Sequence, residues 1–590
     1  MEDELMKLRG DHKMKLHQIL GRSWKYIKKE IGWVLLSLFF IIVTVAFEII
    51  MPMLVMYFVN FFDEQNIANT TLNMIIGIAL GHLGLALIGQ GARYLQSILL
   101  QRSGQRIVYN LRMEVFSHIE HMSQNQFNEM PVGSLVTRVA NYTASMSDLF
   151  TDVLVNLITN LLTAVSVFVI MLIISIKLSL FLLAFTLVAA VLSYFFGWFI
   201  GKAFRKERQY ISDMNTFLSE NLSGMKIIQV FNQERRKQKE FGEKNWRLRR
   251  SRYQIVLAFA FYRPTINLLY FGSIATTFGV GLELALSGAE IVGFYLYLSR
   301  FFNPIQNIAD QVNNIQRALT ACERLYNLLD VEPEVLDKPD ALEIDHFKGK
   351  IEFKNVWFAY EKDNWILKDV SFVINPKETV AFVGATGAGK TTILSLIVRN
   401  YEIQKGQILI DDIDITNIKV ESIRKAVGQM LQDVFLFSGT IKTNITLHDE
   451  SFSNEEIEAA CDYVNASSFI NNLPNKYEEE VIERGENFSA GQRQLLSFAR
   501  SVIHKPQILI LDEATANIDT ETEKVIQDSL EKIKNIGTML VVAHRLSTIQ
   551  HADNIIVLQN GEIIEHGNHQ ELLKQRGHYY KLYKLQFEEH

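Results

Sequence analysis

Eight consecutive residues, Gly384-Ala385-Thr386-Gly387-Ala388-Gly389-Lys390-Thr391, have the types and spacing that grip a polyphosphate. The glycines let backbone N–H groups wrap phosphate oxygens, and the helix expected from Thr392 onward adds its positive dipole end. In such a loop Lys390 neutralises charge on the β- and γ-phosphates, and the Thr391 hydroxyl reaches Mg²⁺. A short apolar run, Thr379 to Val383, leads into the loop as a strand should.

Two more runs deliver chemistry to the same place. Gln507 to Leu511 reads as a strand ending in Asp512-Glu513, and Thr538 to Val542 as another that leads to His544. In open α/β sheets ligands bind at the carboxyl ends of strands. One acid can then hold Mg²⁺ through water, and the other can orient or deprotonate an attacking water. Ile351 to Phe358 alternates like a further strand, and Asn554 to Glu565 reads as a hairpin around Asn560-Gly561, a favoured two-residue turn. Phe488 to Ser497 opens small and polar and continues as an apolar helix. Its Ser489 and Gly491 could present amides to an anion; taken alone, the residues favour a plain N-cap at Ser489.

These elements occupy only the second part of a 590-residue chain, too long for one core. Met1 to Asp340 holds 33 Lys/Arg and 28 Asp/Glu, whereas the remainder carries net charge −11. The basic half also holds the long apolar runs. A composition of 48% hydrophobic and 21% charged residues excludes disorder, and the absence of a basic surface excludes a nucleic-acid binder. Two cysteines, Cys322 and Cys461, exclude a disulfide framework.

Six apolar runs are expected to span a membrane: Ile31–Asn60, Leu72–Leu100, Leu149–Ile176, Leu178–Ile200, Ile255–Leu286 and Ile291–Val312. Lys202 to Arg252 alone holds 14 Lys/Arg, while the connection Phe61–Thr71 has none, which places both termini in the cytoplasm. Very short connections are expected at Ile176–Leu178 and Ser287–Glu290, and longer cytoplasmic turns around Gly133 and Gly224, each glycine between helical segments. In the sixth span Arg300, Asn303, Asn307, Asp310 and Asn314 share one helical face, and Pro304 should kink the helix. Glu48 lies deep in the first span, near the expected depth of Arg300. Polar groups inside a bilayer face a bundle interior or a wet cavity. Glu48, Arg300, Asn303 and Asn307 are therefore candidates for lining a substrate cavity, with helix-to-helix clamping as the alternative.

From Ile31 to the C-terminus the chain resembles the ATP-binding cassette exporters, specifically half-transporters with six spans fused ahead of one cassette. The resemblance implies an α-helical membrane domain with long cytoplasmic extensions followed by an α/β P-loop ATPase cassette. The expected division is residues 1–30 as an N-terminal segment, 31–330 as the transmembrane domain, 331–349 as linker and 350–590 as cassette. It implies ATP and Mg²⁺ as ligands, with ATP held by Gly384, Ala385, Thr386, Gly387, Ala388, Gly389, Lys390, Thr391 and Thr392 and its adenine stacked on Tyr360. Gln432 matches the glutamine that links Mg²⁺ to the membrane contact. Asp512 matches the strand acid that holds Mg²⁺ through water, alongside Thr391; Glu513 matches the catalytic glutamate, Asp519 the D-loop and His544 the switch histidine. Ser489, Ala490, Gly491 and Gln492 match the signature loop, which serves the ATP of a partner chain, and Glu480 to Gly485 resembles the exporter segment before it. The two turns near Gly133 and Gly224 look like coupling helices.

One departure stands out: the family usually has Leu-Ser-Gly-Gly-Gln where this chain has Phe488-Ser-Ala-Gly-Gln492. With its own acids and histidine intact, the chain is similar to the catalytic-glutamate member of asymmetric exporter pairs. A second half-transporter chain is the expected partner, a heterodimer before a homodimer. The expected activity is ATP-driven export of amphipathic drugs or lipids across the cell membrane, with a non-transporting ATP-gated sensor or channel, or a peptide exporter, as alternatives. No peptidase-like segment precedes the first span, which weighs against leader-cleaving peptide export.

Overall fold

The computed structural model describes residues 14–64, 72–361, 364–430, 434–512, 520–542 and 549–588. Among these, residues up to His118 together with Val132–Val331 form one compact unit, and Ile119–Pro131 with Glu332 onward form the other.

The first unit is helical: α1 (Leu16–Ile27), α2 (Ile31–Glu64), α3 (Leu72–Glu120), α5 (Val132–Ile174), α6 (Ile176–Ser223), α7 (Met225–Val230), α8 (Glu234–Glu283) and α9 (Gly288–Leu329); α4 (Gln124–Asn128) belongs to the second. Long helices satisfy every backbone group internally, which hydrocarbon demands. Their outward faces stay apolar, with Leu87 66% and Ile173 74% exposed, a surface suited to lipid. Val167, Met171, Leu178, Leu182, Phe294, Leu298 and Phe302 bring α5, α6 and α9 into one core. Ile41, Val45, Leu100 and Val155 do the same for α2, α3 and α5.

Among the described residues five helical runs are long and apolar enough to cross a membrane: His17–Phe61, Ile75–Glu120, Val132–Ile174, Ile176–Ser223 and Glu234–Glu283. The sixth expected span, Ile291–Val312, falls within α9, where several side chains lie outside the described set. Pro304 is inside this helix.

Three expected breaks sit elsewhere. The chain turns between α5 and α6 at Ser175 alone, with φ −157° and ψ 110°, so Ile176–Leu178 is the first turn of α6. Its hydroxyl accepts from the Leu178 N–H, an N-cap that one polar residue can supply. Likewise Ser287 and Glu290 form a reciprocal capping box, which makes Ser287–Glu290 a helix start. Gly133 lies in the first turn of α5, and Pro131 precedes it; Gly224 does stand between α6 and α7.

The second unit holds a six-stranded sheet of order β12-β11-β3-β10-β9-β6. Its strands are β3 (Thr379–Val383), β6 (Val427–Met430), β9 (Ile508–Asp512), β10 (Thr538–Val542), β11 (Asn554–Gln559) and β12 (Glu562–Gly567). All pairs are parallel except β11 with β12, the expected hairpin, where Asn560 and Gly561 take φ 50° and 86°. Strand β9 is one residue later than expected. A four-stranded antiparallel sheet, β2-β1-β4-β5, packs beside it, made of β1 (Ile351–Ala359), β2 (Trp365–Ile374), β4 (Lys405–Ile410) and β5 (Ile413–Asp414). Phe353, Phe358, Phe382, Ile393 and Ile510 fill the core between the sheets and the helix α10 (Lys390–Ile397).

Candidate functional site

Strand β3 is buried along all five residues and ends at Val383, so the loop leaves a rigid base. Gly384 meets the backbone so closely that a Cβ there would stand 2.2 Å from the Leu558 carbonyl oxygen. Gly389 caps α10 at φ 102°, a conformation that excludes a side chain. Lys390 is buried, and its Nζ donates to the carbonyls of Gly384 at 2.8 Å and Ala385 at 3.1 Å, which fixes a positive charge inside the loop. Thr391 is exposed at the first turn of α10, whereas Thr392 is buried with its hydroxyl 3.1 Å from that of Tyr360.

Sheet register brings the other strands to this edge. Val542 pairs with Phe382 on one side and with Asp512 on the other, and Met430 pairs with Leu511. Asp512 thus lies two strand spacings, about 10 Å, from the root of the loop. The hydroxyl of Thr391 and the carboxylate of Asp512 are hard oxygen donors of the kind Mg²⁺ takes, usually while keeping several waters. Gln432, Glu513, Asp519 and His544 follow these strands in the chain and lie outside the described residues.

The segment before the helix α11 (Ala490–Ile503) is built as a capping box: Ser489 accepts from the Gln492 N–H at 3.2 Å, and Gln492 Oε1 accepts from the Ser489 N–H at 2.9 Å. The N-cap reading therefore describes the local geometry, with Ser489 and Ala490 exposed and Gly491 buried. Arg493 holds the preceding turn through the Phe488 carbonyl at 2.7 Å. Short strands β7 (Gly439–Thr440) and β8 (Glu480–Val481) pair, which joins the segment after Gln432 to the one before the signature. Arg500 reinforces that junction, donating to the carbonyls of Phe435 at 3.0 Å and Asn444 at 2.9 Å. Sequence reading missed Arg500, because an arginine late in an amphipathic helix looks like a solvated face.

Tyr360 is 40% exposed and stands edge-on to Phe358 and Tyr401. Tyr401, also missed, accepts from Asn128 of α4 at 3.4 Å, and burial pushes its hydroxyl pKa up. In the same segment Gln126 donates to the Glu332 carbonyl at 2.7 Å and Ser123 to Glu334 at 3.2 Å.

In the membrane unit the structure brings together Glu48 and Arg300, though not as a simple ion pair. Pro52 lies inside α2 and has no N–H, so the Glu48 carbonyl lacks its helical donor. Arg300 Nη1 donates to that carbonyl, and the Tyr297 hydroxyl donates to the Ile49 carbonyl at 2.7 Å. The Glu48 carboxylate accepts from Thr163 at 3.2 Å. Asn307 reaches Asn160 at 3.4 Å, and Asn303 is exposed; the side chain of Asp310 lies outside the described set. Tyr297 and Thr163 were not anticipated. A proline four residues after a buried carbonyl, facing a helix with Arg and Tyr three apart, was the available signal.

Residues 34–307 match the family model described as ABC transporter transmembrane region, and residues 367–516 match that described as ABC transporter. A Bacillus subtilis protein named "Probable multidrug resistance ABC transporter ATP-binding/permease protein YheH" is 38% identical over 510 residues, 85% of this chain and 76% of its own length. An ATP-dependent lipid A-core flippase of Syntrophus aciditrophicus is 34% identical over 520 residues, 88% and 86% of the two chains. The structure of a bacterial Atm1-family ABC exporter with ATP bound superposes with a TM-score of 0.79 at 25% identity, covering 95% of this chain and 98% of that one. With a helical membrane domain and an ATPase cassette on one polypeptide, the chain belongs to the ABC transporters, as a membrane-embedded half-transporter that dimerises and couples ATP hydrolysis to transport.

Proposed function

We propose that this half-transporter has six spans and exports amphipathic small molecules, drugs or lipids, from the cytoplasm or the inner leaflet, with both termini and the cassette cytoplasmic. The observation that carries the reading is the common edge of β3, β10, β9 and β6, which sets the Lys390 loop beside Asp512 in a chain fused to membrane helices. ATP sits on the loop from Gly384 to Thr392 with its adenine on Tyr360, and Ser489 to Gln492 close on the ATP of the partner chain. Glu513 orients the attacking water, His544 acts as the switch histidine, Gln432 is the glutamine that links Mg²⁺ to the membrane contact, and Asp519 belongs to the D-loop. Thr391, Gln432 and Asp512 would hold Mg²⁺, which neutralises phosphate charge when bound. A relative named for multidrug resistance and another named for lipid A-core flipping support an amphipathic substrate. Glu48, Arg300, Asn303 and Asn307 line its path, and intact acids beside the Ala490 departure favour a heterodimer. Transport of a fluorescent amphiphile into inverted vesicles tests this: ATP-dependent uptake is expected, while ATP hydrolysis with no uptake would favour a sensor or channel.

A further inference from the structure

A cavity of about 490 Å³ opens on the membrane unit where the apolar part of α3 gives way to its charged extension, lined by Glu30, Arg102, Gln105, Arg106, Tyr109 and Asn110. Its depth is fixed from two sides. The apolar run of α2 begins at Ile31, and that of α3 ends at Leu100, so both walls reach the rim of the hydrocarbon together. The Arg102 guanidinium lies 5.1 Å over the Trp33 ring, which confirms that the two rims share a level. Tryptophan is the residue that settles at that level.

The charges are asymmetric. Arg106 is tied to Glu30 at 3.4 Å, and the Glu30 side chain is only 10% exposed. Arg102 has no carboxylate partner among the described residues and is exposed. The cavity therefore offers one neutralised cation and one guanidinium that lies over Trp33 with no carboxylate partner among the described residues, with the Tyr109 hydroxyl as a further donor. Leu95 and Ile98 precede Arg102 by seven and four residues, on the same helical face, and are 45% and 44% exposed. One stripe thus reads apolar, then cationic, then polar, in the direction leaving the bilayer. That order matches a phospholipid: acyl chain along Leu95 and Ile98, phosphate at Arg102, polar headgroup toward Gln105 and Tyr109. A guanidinium binds phosphate through paired N–H bonds, and basic pockets at membrane rims take anionic headgroups.

We propose that this cavity binds the phosphate of an anionic phospholipid in the leaflet where α2 begins. The site is separate from the ATP edge and from the Glu48–Arg300 cluster, and it does not depend on which substrate is exported. The test uses the full-length chain purified with its partner. Native mass spectrometry with added dioleoylphosphatidylglycerol or dioleoylphosphatidylcholine reads retained lipid, and thermal unfolding with inorganic phosphate reads the alternative source of the same chemistry. Retention of phosphatidylglycerol over phosphatidylcholine is expected, falling about fivefold in Arg102→Gln and about 25-fold in Arg102→Gln/Arg106→Gln. Arg102→Gln is the decisive variant, because it leaves the buried Glu30 paired, and Arg102→Lys should keep most of the retention. Arg235→Gln/Lys239→Gln, a basic pair of equal spacing and charge near the start of α8, should change nothing. Retention unaltered by Arg102→Gln, equal retention of phosphatidylcholine, or an equal loss in the α8 control would each overturn the proposal. Stabilisation by inorganic phosphate equal to that by phosphatidylglycerol would overturn the lipid assignment.

Discussion

Lys390 in the cassette and Arg300 in the membrane unit do the same elementary thing by different routes. Each is a cation whose donors meet backbone carbonyls that no helix or strand uses. Lys390 takes carbonyls five and six residues upstream, in a loop whose glycines expose them. Arg300 takes one 252 residues away, exposed because Pro52 removes its helical partner. The first arrangement is written in contiguous sequence, and on the proposed reading it holds charge where phosphates dock and trades carbonyls for phosphate oxygens. The second is a tertiary repair: a helix interrupted by a proline must find donors in hydrocarbon for the carbonyls the proline leaves open, and α9 supplies two, Arg300 and Tyr297. A loop cation is therefore expected to act on ligand binding, and a repair cation on assembly. Mutations should separate the two.

The largest expected effect belongs to the cassette. Glu513→Gln removes the carboxylate proposed to polarise water but leaves the sequence of the Lys390 loop untouched. ATPase activity should fall about 10²- to 10⁴-fold while ATP binding persists and the closed dimer accumulates. Near-normal turnover of the purified variant would move catalysis to another residue or to the partner's site. Next comes Lys390→Ala, which deletes the charge-assisted bonds themselves. ATP affinity should weaken about 10- to 100-fold, the equivalent of about 1.5–3 kcal/mol, and transport should stop. Tight nucleotide binding by this variant would mean that the loop cation is dispensable for docking.

Arg300→Met tests the other side of the comparison. It should leave ATP affinity unchanged and lower the thermal stability of the assembled protein by about 1–2 kcal/mol, the scale of a polar contact in a membrane. Adding Pro52→Ala gives the Glu48 carbonyl back an N–H, so the double variant should recover at least part of the loss. If Pro52→Ala brings no recovery, the arginine is not there to cap that carbonyl. Glu48→Gln then separates clamp from substrate contact. A shifted preference for cationic amphiphiles at unchanged stability marks the carboxylate as part of the path, whereas a fall in stability alone marks it as structure held by Thr163.

How much of this could be read beforehand follows the same division. The phosphate loop, the strands that carry Asp512 and lead to His544, and the Asn560-Gly561 hairpin were legible because each is a local pattern with a local physical cause. Five of the six expected apolar runs were legible in outline, as helices long and apolar enough to cross a membrane among the described residues. Helix ends were not: Ser175 and Ser287 act as single-residue caps, so connections expected at Ile176–Leu178 and Ser287–Glu290 became first turns. Equally hidden were Arg500, Tyr401, Tyr297 and Thr163, whose roles depend on partners 56 to 273 residues away. The shared depth of Glu48 and Arg300 could be counted from helix rise, but the form of their contact could not. It runs through a backbone carbonyl that only the proline makes available.

Protonation gives the smallest and most local contrast, because here a cassette side chain is kept from becoming a cation. His569 accepts or donates at 2.7 Å with the Tyr579 hydroxyl and lies against the rings of Tyr579 and Tyr583. Burial among these rings, and then the nearby His551, lower its pKa below the ordinary 6.5. The unfolded chain therefore takes up this proton first as the pH drops. Stability from the neutral imidazole is complete above about pH 6.5 and is lost progressively on acidification toward the lower folded-state value. The affected element is the helix His578–Glu588, which Tyr579 anchors. Hydrogen exchange of the full chain at pH 7.5 and 5.5 should show protection of this helix falling at the lower pH, by more than in the phosphate-loop helix α10. His569→Gln, which keeps a polar partner for Tyr579 but cannot titrate, should flatten that difference. Greater protection at pH 5.5 in the unsubstituted chain would reverse the sign and show that the aromatic pocket welcomes the charged ring.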